Sequence, residues 1–173
     1  MTPRPAVVGL SIVLMGTAVV AQEARPPLDA CAMLLEADAR TLLPGAKQLK
    51  QQATAAQPLD REVSACAYHD EADAARGVTL SIQRFPKAVP ADIGWAIFND
   101  HELETVDGIA RGALWKESTA TMMLILKAEF ITLTVTRPEA PATMEEVRAV
   151  MKMVYERREV LPGTQSEGPP TAP

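Results

Sequence analysis

The chain is short of aromatic side chains and of the residues that most often carry catalysis. Of its 173 residues, two are Trp, two Tyr and three Phe, and there are only two His and two Cys. The core must therefore be built from Ala, Val, Leu, Ile and Met. The GxSxG, Walker-type and dinucleotide-binding glycine patterns and the SxxK motif are absent, which removes the common enzyme classes that carry them.

Positive charge is also scarce. The chain has 17 Lys and Arg against 22 Asp and Glu, which gives a formal net charge of −5. No basic stripe is present that could neutralise a phosphate backbone, so we predict no nucleic-acid partner. An anionic membrane surface is disfavoured for the same reason. The sequence indicates no cofactor and no metal.

The first residues have the pattern of a secretory signal peptide. Arg4 precedes an apolar run over 6–21, and Val19 and Ala21 occupy the −3 and −1 positions of a cleavage site before Gln22. The run is shorter than the roughly 20 residues that span a bilayer. We therefore predict a cleaved signal peptide over 1–21 and a periplasmic or secreted protein with no stable membrane span. The alternative is that this segment is kept as an anchor.

Composition divides the rest of the chain into three parts. We predict a polar linker over 22–28, a single α+β domain over 29–160, and a disordered tail rich in Pro and Gly over 161–173. Within the domain, we predict an antiparallel sheet of about five to six strands with helices packed on one face. The expected order of elements is α-ββ(β)-α-βββ-α.

Hydrophobic spacing places the main elements. Asp29 is a predicted N-cap of a first helix that is broken near Glu36. Thr143 and Glu146 form a capping-box pattern at the start of the last helix. The other predicted elements are strands over 62–69 and 77–85, an acidic turn over 70–77, a helix over 91–104, and two strands within 121–136 that meet at Ala128-Glu129.

The two cysteines, Cys31 and Cys66, have several possible roles. Residues 28–31 superficially resemble a lipid-attachment site, but Asp29 stands where a small neutral residue is expected. Two cysteines are too few ligands for a metal site. A nucleophilic thiol could use His69 as its base, but the acidic residues that follow His69 disfavour a thiolate. We favour a structural disulfide, since exported proteins usually pair their cysteines. A closed loop of about 35 residues would contribute roughly 3–4 kcal/mol.

Five residues are candidates for a pocket or an interface, although each has a structural explanation too. His69 and His101 each precede an acid and could serve as a base or a pH sensor, but we favour exposed polar residues near a turn or helix end. The only indoles, Trp95 and Trp115, could line a pocket but are also expected core anchors. Tyr68 completes the set.

The arrangement resembles a family of exported actinobacterial proteins of unknown function, many of them lipoproteins. The matching residues are Asp29, Cys31, Leu34 and Leu35, then Cys66 and Tyr68, then Val106, Gly108, Ile109, Gly112 and Trp115, followed by 121–136 and 143–159. The chain departs from the family in lacking the lipid-attachment motif, and Arg111 and Ala113 alter the glycine segment. The resemblance implies an α+β sandwich with a disulfide between the matching cysteines, and no activity.

Two classes of function follow. The leading hypothesis is a non-enzymatic binding or interaction module of the cell envelope, whose partner is an envelope protein or a small molecule. That partner would bind a threonine-rich sheet face or the surface near Trp95 and Trp115. The alternative is a divergent hydrolase or metal-dependent enzyme that uses His69 or His101 with the adjacent Asp70 or Glu102.

Overall fold

The computed structural model describes residues 28–58, 61–90, 93–94, 97, 100–110 and 112–160, and over 55–58 it describes the backbone alone. The predicted signal peptide, most of the linker, the C-terminal tail and Trp95 therefore lie outside the described residues. Leu28, the last residue of the predicted linker, is described and belongs to the core. Its side chain is buried, and its N–H donates to Glu62 Oε1 at 2.6 Å.

Seven strands form one antiparallel sheet. In chain order they are β1 (Leu49–Pro58), β2 (Glu62–Asp70), β3 (Asp73–Arg84), β4 (Leu103–Val106), β5 (Ala113–Lys116), β6 (Thr121–Ile125) and β7 (Glu129–Thr136). Across the sheet their order is β1-β2-β3-β7-β6-β5-β4. Two runs of consecutive strands are thus joined where β3 pairs with β7, and β1 and β4 are the edges of the sheet.

Three helices are described over their whole length: α1 (Ala30–Met33), α2 (Glu36–Leu42) and α3 (Met144–Val160). The predicted caps are present. Asp29 Oδ1 accepts the N–H groups of Cys31 and Ala32 at the start of α1. At the start of α3, Thr143 N–H donates to Glu146 Oε2, and Glu146 N–H donates to Thr143 Oγ1. These bonds satisfy backbone donors that a helix start would otherwise leave unpaired.

The strands alternate between two faces. On the helix-bearing face the side chains are buried, and their Leu, Ile, Val and Met groups pack with α1, α2 and the buried stripe of α3. That stripe consists of Val147, Val150, Met151 and Val154. The opposite face carries half-buried threonines at 79, 132 and 134. This period of two is the pattern that predicted β3 and β7.

A carboxylate is buried within the helix-bearing face. Glu129 of β7 accepts from Arg84 Nε of β3 at 3.0 Å and from Arg158 Nε of α3 at 2.7 Å. Arg84 also contacts Glu62 Oε2 of β2 at 3.3 Å. The network therefore ties three neighbouring strands to the last helix. Both oxygens of the buried carboxylate are paired, as burial of a charge requires.

A second ion pair joins α2 to the last helix. Asp38 of α2 is buried and accepts from both Nη atoms of Arg157 in α3, with the Nη2–Oδ1 distance at 3.0 Å. Asp38 Oδ2 also accepts the N–H of Leu35 at 2.9 Å, so that it caps α2. One carboxylate thus fixes the start of α2 and its contact with the last helix.

The sheet has seven strands, so the prediction of five to six was too low. The helix predicted over 91–104 is helical at 93–94 and 97, but its end is wrong because Leu103 and Glu104 belong to β4. This strand has four residues, Leu-Glu-Thr-Val, and they do not alternate between apolar and polar. The predicted acidic turn over 70–77 is also too long. β3 already begins at Asp73, with only Glu71 and Ala72 between the strands.

Candidate functional site

Cys31 and Cys66 form a disulfide, with their Cα atoms 5.0 Å apart. Neither cysteine is free, so neither thiol is available as a nucleophile or a metal ligand. The start of α1 is also held to β2 by a hydrogen bond from Ala30 N–H to Ser64 Oγ at 3.0 Å. The disulfide therefore adds a covalent link to a segment that is already hydrogen-bonded to β2.

Tyr68 is a core residue and offers no docking surface. It lies on the helix-bearing face of β2, two positions after Cys66, and its side chain is 5% exposed. Burial, together with the nearby charges of Glu36 and Asp38, raises the pKa of its hydroxyl. Its role is to fill space between β2 and the helices.

The structure does not bring His69 and His101 together. His69 lies in β2, directly opposite Gly77 of β3, and its Nδ1 is 2.7 Å from where a Cβ on that glycine would stand. His101 lies in the turn before β4 at the far edge. Four strands, β3, β7, β6 and β5, lie between β2 and β4. The two imidazoles therefore share no cleft.

The neighbours of His101 form a surface ion cluster. Lys116 Nζ lies 2.6 Å from Asp100 Oδ2 and 3.3 Å from Glu102 Oε2, and Ser118 Oγ donates to the latter carboxylate. Hydrogen bonds to Lys116 and Ser118 lower the pKa values of the two acids, and the acids in turn raise the pKa of Lys116. The hydrogen bonds thus favour the ionised form of both acids.

Trp115 is buried, as expected for a core anchor, but it also lines a cleft. Only 3% of the residue is exposed. A cleft of about 330 Å³ lies between the β4–β5 edge of the sheet and the start of α3. We call it the Trp115 cleft, and it is lined by Glu104, Trp115, Glu117, Pro141, Ala142, Thr143 and Met144.

The indole N–H of Trp115 donates to no acceptor in the described part of the chain. The fully enclosed side-chain nitrogens that form no hydrogen bond there are Nε of Arg137 and Nε of Arg76, and the latter is ion-paired with Glu139 Oε1 at 2.8 Å. The indole nitrogen does not belong to that group, so it reaches solvent. The residue lines the Trp115 cleft.

The β4–β5 pairing supplies the acidic side of this cleft. Glu104 of β4 is the direct cross-strand partner of Trp115, and Glu117 follows β5 at the start of a short 3₁₀ turn. Both glutamates are exposed. Sequence reasoning identified Trp115 but missed Glu104 and Glu117. Because we predicted a helix over 91–104, we did not predict the β4–β5 pairing that places the Glu104 carboxylate opposite the indole of Trp115.

A second cleft, of about 430 Å³, lies at the opposite end of the sheet. It adjoins the end of β3 and is lined by Arg61, Phe85, Pro86, Lys87, Ala88, Pro90 and Ile93. It is larger and lies on loop residues, and it contains none of the candidates from the sequence. Its basic side chains contrast with the two acids of the Trp115 cleft.

Within the described residues, no group of three or more His, Cys, Asp or Glu side chains is placed to hold a metal ion. Within the same residues, no helix has both the length and the apolar character needed to cross a bilayer.

Comparison with known proteins adds no assignment. No protein-family model, no curated protein and no solved structure matches the chain.

Proposed function

We propose that the protein is a non-catalytic binding domain that works outside the cytoplasm and takes its ligand in the Trp115 cleft. The observation that carries this proposal is the combination of a buried indole with an N–H that has no acceptor among the described residues. A donor left without a partner at the wall of a cleft costs free energy unless water or a ligand accepts from it.

The size and position of the cleft support ligand binding. Its volume of about 330 Å³ lies at the lower end of the range that small-molecule sites occupy. Its walls combine an indole and the apolar groups of Pro141, Ala142 and Met144 with a few polar groups. Such a mixture is typical of binding sites, where apolar walls supply affinity and polar groups orient the ligand.

The disulfide supports the proposed compartment. Intramolecular disulfides persist in oxidising environments and are rare in the cytosol. The bond between Cys31 and Cys66 therefore agrees with the signal peptide that the first 21 residues predict. We also propose membership of the exported family that the sequence resembles, since the bonded cysteines are the two that match it.

The alternative hydrolase receives no support from the geometry. It would use His69 or His101 with an adjacent carboxylate. His69 lies on one part of the sheet and His101 near the opposite edge, and the acids beside His101 are paired with Lys116. Neither histidine lines either of the two clefts described above.

Nuclear magnetic resonance of the indole N–H groups tests the proposal. The wild-type chain has two such resonances, and Trp95→Phe leaves the one from Trp115, which assigns it. A screen of small metabolites should find compounds that shift the Trp115 resonance with saturation. If compounds bind while this resonance stays fixed, or if none binds, the proposed site is wrong.

A further inference from the structure

The charges around the Trp115 cleft define the class of its ligand more narrowly than the shape of the cleft does. We infer that its ligand is an organic cation: a small molecule with an ammonium group, an apolar body and a neutral acceptor oxygen. This inference rests on the proposed function, because it names the class of compound that the same cleft takes.

The ammonium group follows from two carboxylates without a cationic partner. Neither Glu104 nor Glu117 forms an ion pair in the described part of the chain. The nearest basic residue in sequence, Lys116, cannot compensate them. It follows Trp115 in β5, so its side chain leaves from the opposite face of the sheet, where Asp100 and Glu102 hold it.

The helix side of the cleft supplies no counter-charge either. Thr143 lines the cleft, but its hydroxyl is already bonded to Glu146 at 3.1 Å. One turn further along α3, Arg148 lies 3.3 Å from Glu145. Lys116 and Arg148 are thus both engaged elsewhere, and among the described residues no basic side chain lines the cleft. The cleft keeps a local negative charge that a bound cation would offset.

A metal ion fits this site less well than an organic cation. Protein sites for Ca²⁺ use six to eight oxygen ligands, whereas the cleft offers two carboxylates. An indole, a methionine and a proline contribute nothing to a hydrated metal ion. The same groups bury the carbon skeleton of an organic ligand, and an indole attracts an ammonium group through its π-system.

The indole N–H adds the last requirement. It is a donor only, so it needs an acceptor that the carboxylates of the protein do not provide here. A hydroxyl, ether or carbonyl oxygen on the ligand meets that need without adding negative charge. The ligand therefore carries an ammonium group at one end and a neutral oxygen that can accept a hydrogen bond from the indole N–H.

A matched set of ring compounds tests this inference by titration of the oxidised protein, with the Trp115 indole resonance as the readout. The set comprises trans-4-aminocyclohexanol, cyclohexylammonium, cyclohexanol and cyclohexanecarboxylate, with Nα-acetyl-lysine methylamide as a probe for a lysine side chain of a protein. We expect saturable shifts from both ring ammonium compounds, with the amino alcohol the tighter. We expect at least tenfold weaker binding of the uncharged alcohol and of the carboxylate.

Two double variants connect binding to the carboxylates. Glu104→Gln with Glu117→Gln should weaken the amino alcohol at least tenfold. Glu71→Gln with Glu156→Gln makes the same change in net charge at exposed positions outside the cleft and should leave binding unchanged. Equal losses in both double variants would overturn the inference, because they would show a general charge effect.

The outcomes separate the two proposals. If cyclohexanol or the carboxylate shifts the resonance as strongly as the ammonium compounds, the cleft binds ligands but the inferred class is wrong. If the lysine derivative alone binds, the ammonium group belongs to a partner protein, and the small-molecule inference is wrong. If no compound of this set or of the metabolite screen shifts the resonance, the binding function fails with it.

Discussion

Trp115 and Glu104 lie directly opposite each other in neighbouring strands, on the helix-bearing face of the sheet. Because β4 is an edge strand, no other strand of the described residues pairs with its outer side. Trp115 is almost fully covered and Glu104 is exposed, and the space between this pair and the start of α3 is the Trp115 cleft. The site thus arises where a core residue meets the edge of the sheet.

The disulfide should contribute strongly to stability. On the chain-entropy estimate, a loop of this length is worth about 4 kcal/mol. We expect Cys31→Ala with Cys66→Ala to lower the free energy of unfolding by about that amount in urea denaturation. Thiol titration of the unreduced wild-type protein should find no free thiol. Two reactive thiols in the folded protein would show that the bond does not form.

The buried pair between Asp38 and Arg157 should matter far more than an exposed pair in the same helix. Asp38→Asn weakens the bonds to Arg157 and to Leu35 N–H, and we expect a loss of about 3 kcal/mol. Glu36→Gln breaks an exposed pair with Arg40 and should cost about 0.5 kcal/mol or less. Equal losses in chemical denaturation would contradict the structural role given to Asp38.

The capping box of α3 predicts a dependence of stability on pH. The bond from Arg137, then that from Thr143 N–H, lowers the pKa of Glu146 from 4.5 to about 2. A lowered pKa in the folded state stabilises the protein above pH 4.5, and this contribution is lost as the pH falls through 2. Glu146→Gln should therefore destabilise the protein at pH 7, and the difference from wild type should shrink towards pH 2.

Urea denaturation of both proteins at several pH values measures this difference. Glu145→Gln serves as the control, since that side chain is exposed and contacts Arg148 at 3.3 Å. It should show little effect at any pH. A constant difference between wild type and Glu146→Gln across the acid range would contradict the lowered pKa.

Gly77 should be intolerant of a side chain because of His69. A Cβ there would lie 2.7 Å from His69 Nδ1 and 3.3 Å from the carbonyl oxygen of Tyr68. We expect Gly77→Ala to cost about 1–3 kcal/mol by overpacking. Most of that loss should disappear in a His69→Ala background, which a double-mutant cycle measures. Strictly additive effects would place the strain elsewhere.

The fold could be predicted where the local signals were long and consistent. β3 and β7 alternate over eight or more residues, and α3 has both a capping box and a buried stripe, so these elements were predicted correctly. β1 is a weaker case, since polar and small residues such as Gln52 and Ala53 give it little pattern. Its pairing with β2 depends on tertiary contact, which local sequence does not encode.

The site was harder to predict than the fold, for a physical reason. Trp115 attracts notice in an aromatic-poor chain, but burial alone explains most such residues. The cleft depends on Glu104, Glu117 and the segment before α3, which come together only through strand pairing and helix packing. The buried network around Glu129 was missed for the same reason, since its partners Arg84 and Arg158 are distant in sequence.

Hydrogen exchange of the Trp115 indole N–H tests the central claim most directly. We expect fast exchange in the free protein, because this N–H reaches solvent although its ring is buried. Saturating trans-4-aminocyclohexanol should slow that exchange at least tenfold. Slow exchange in the free protein, or a rate that ligand does not change, would contradict the claim that this indole is the ligand's partner.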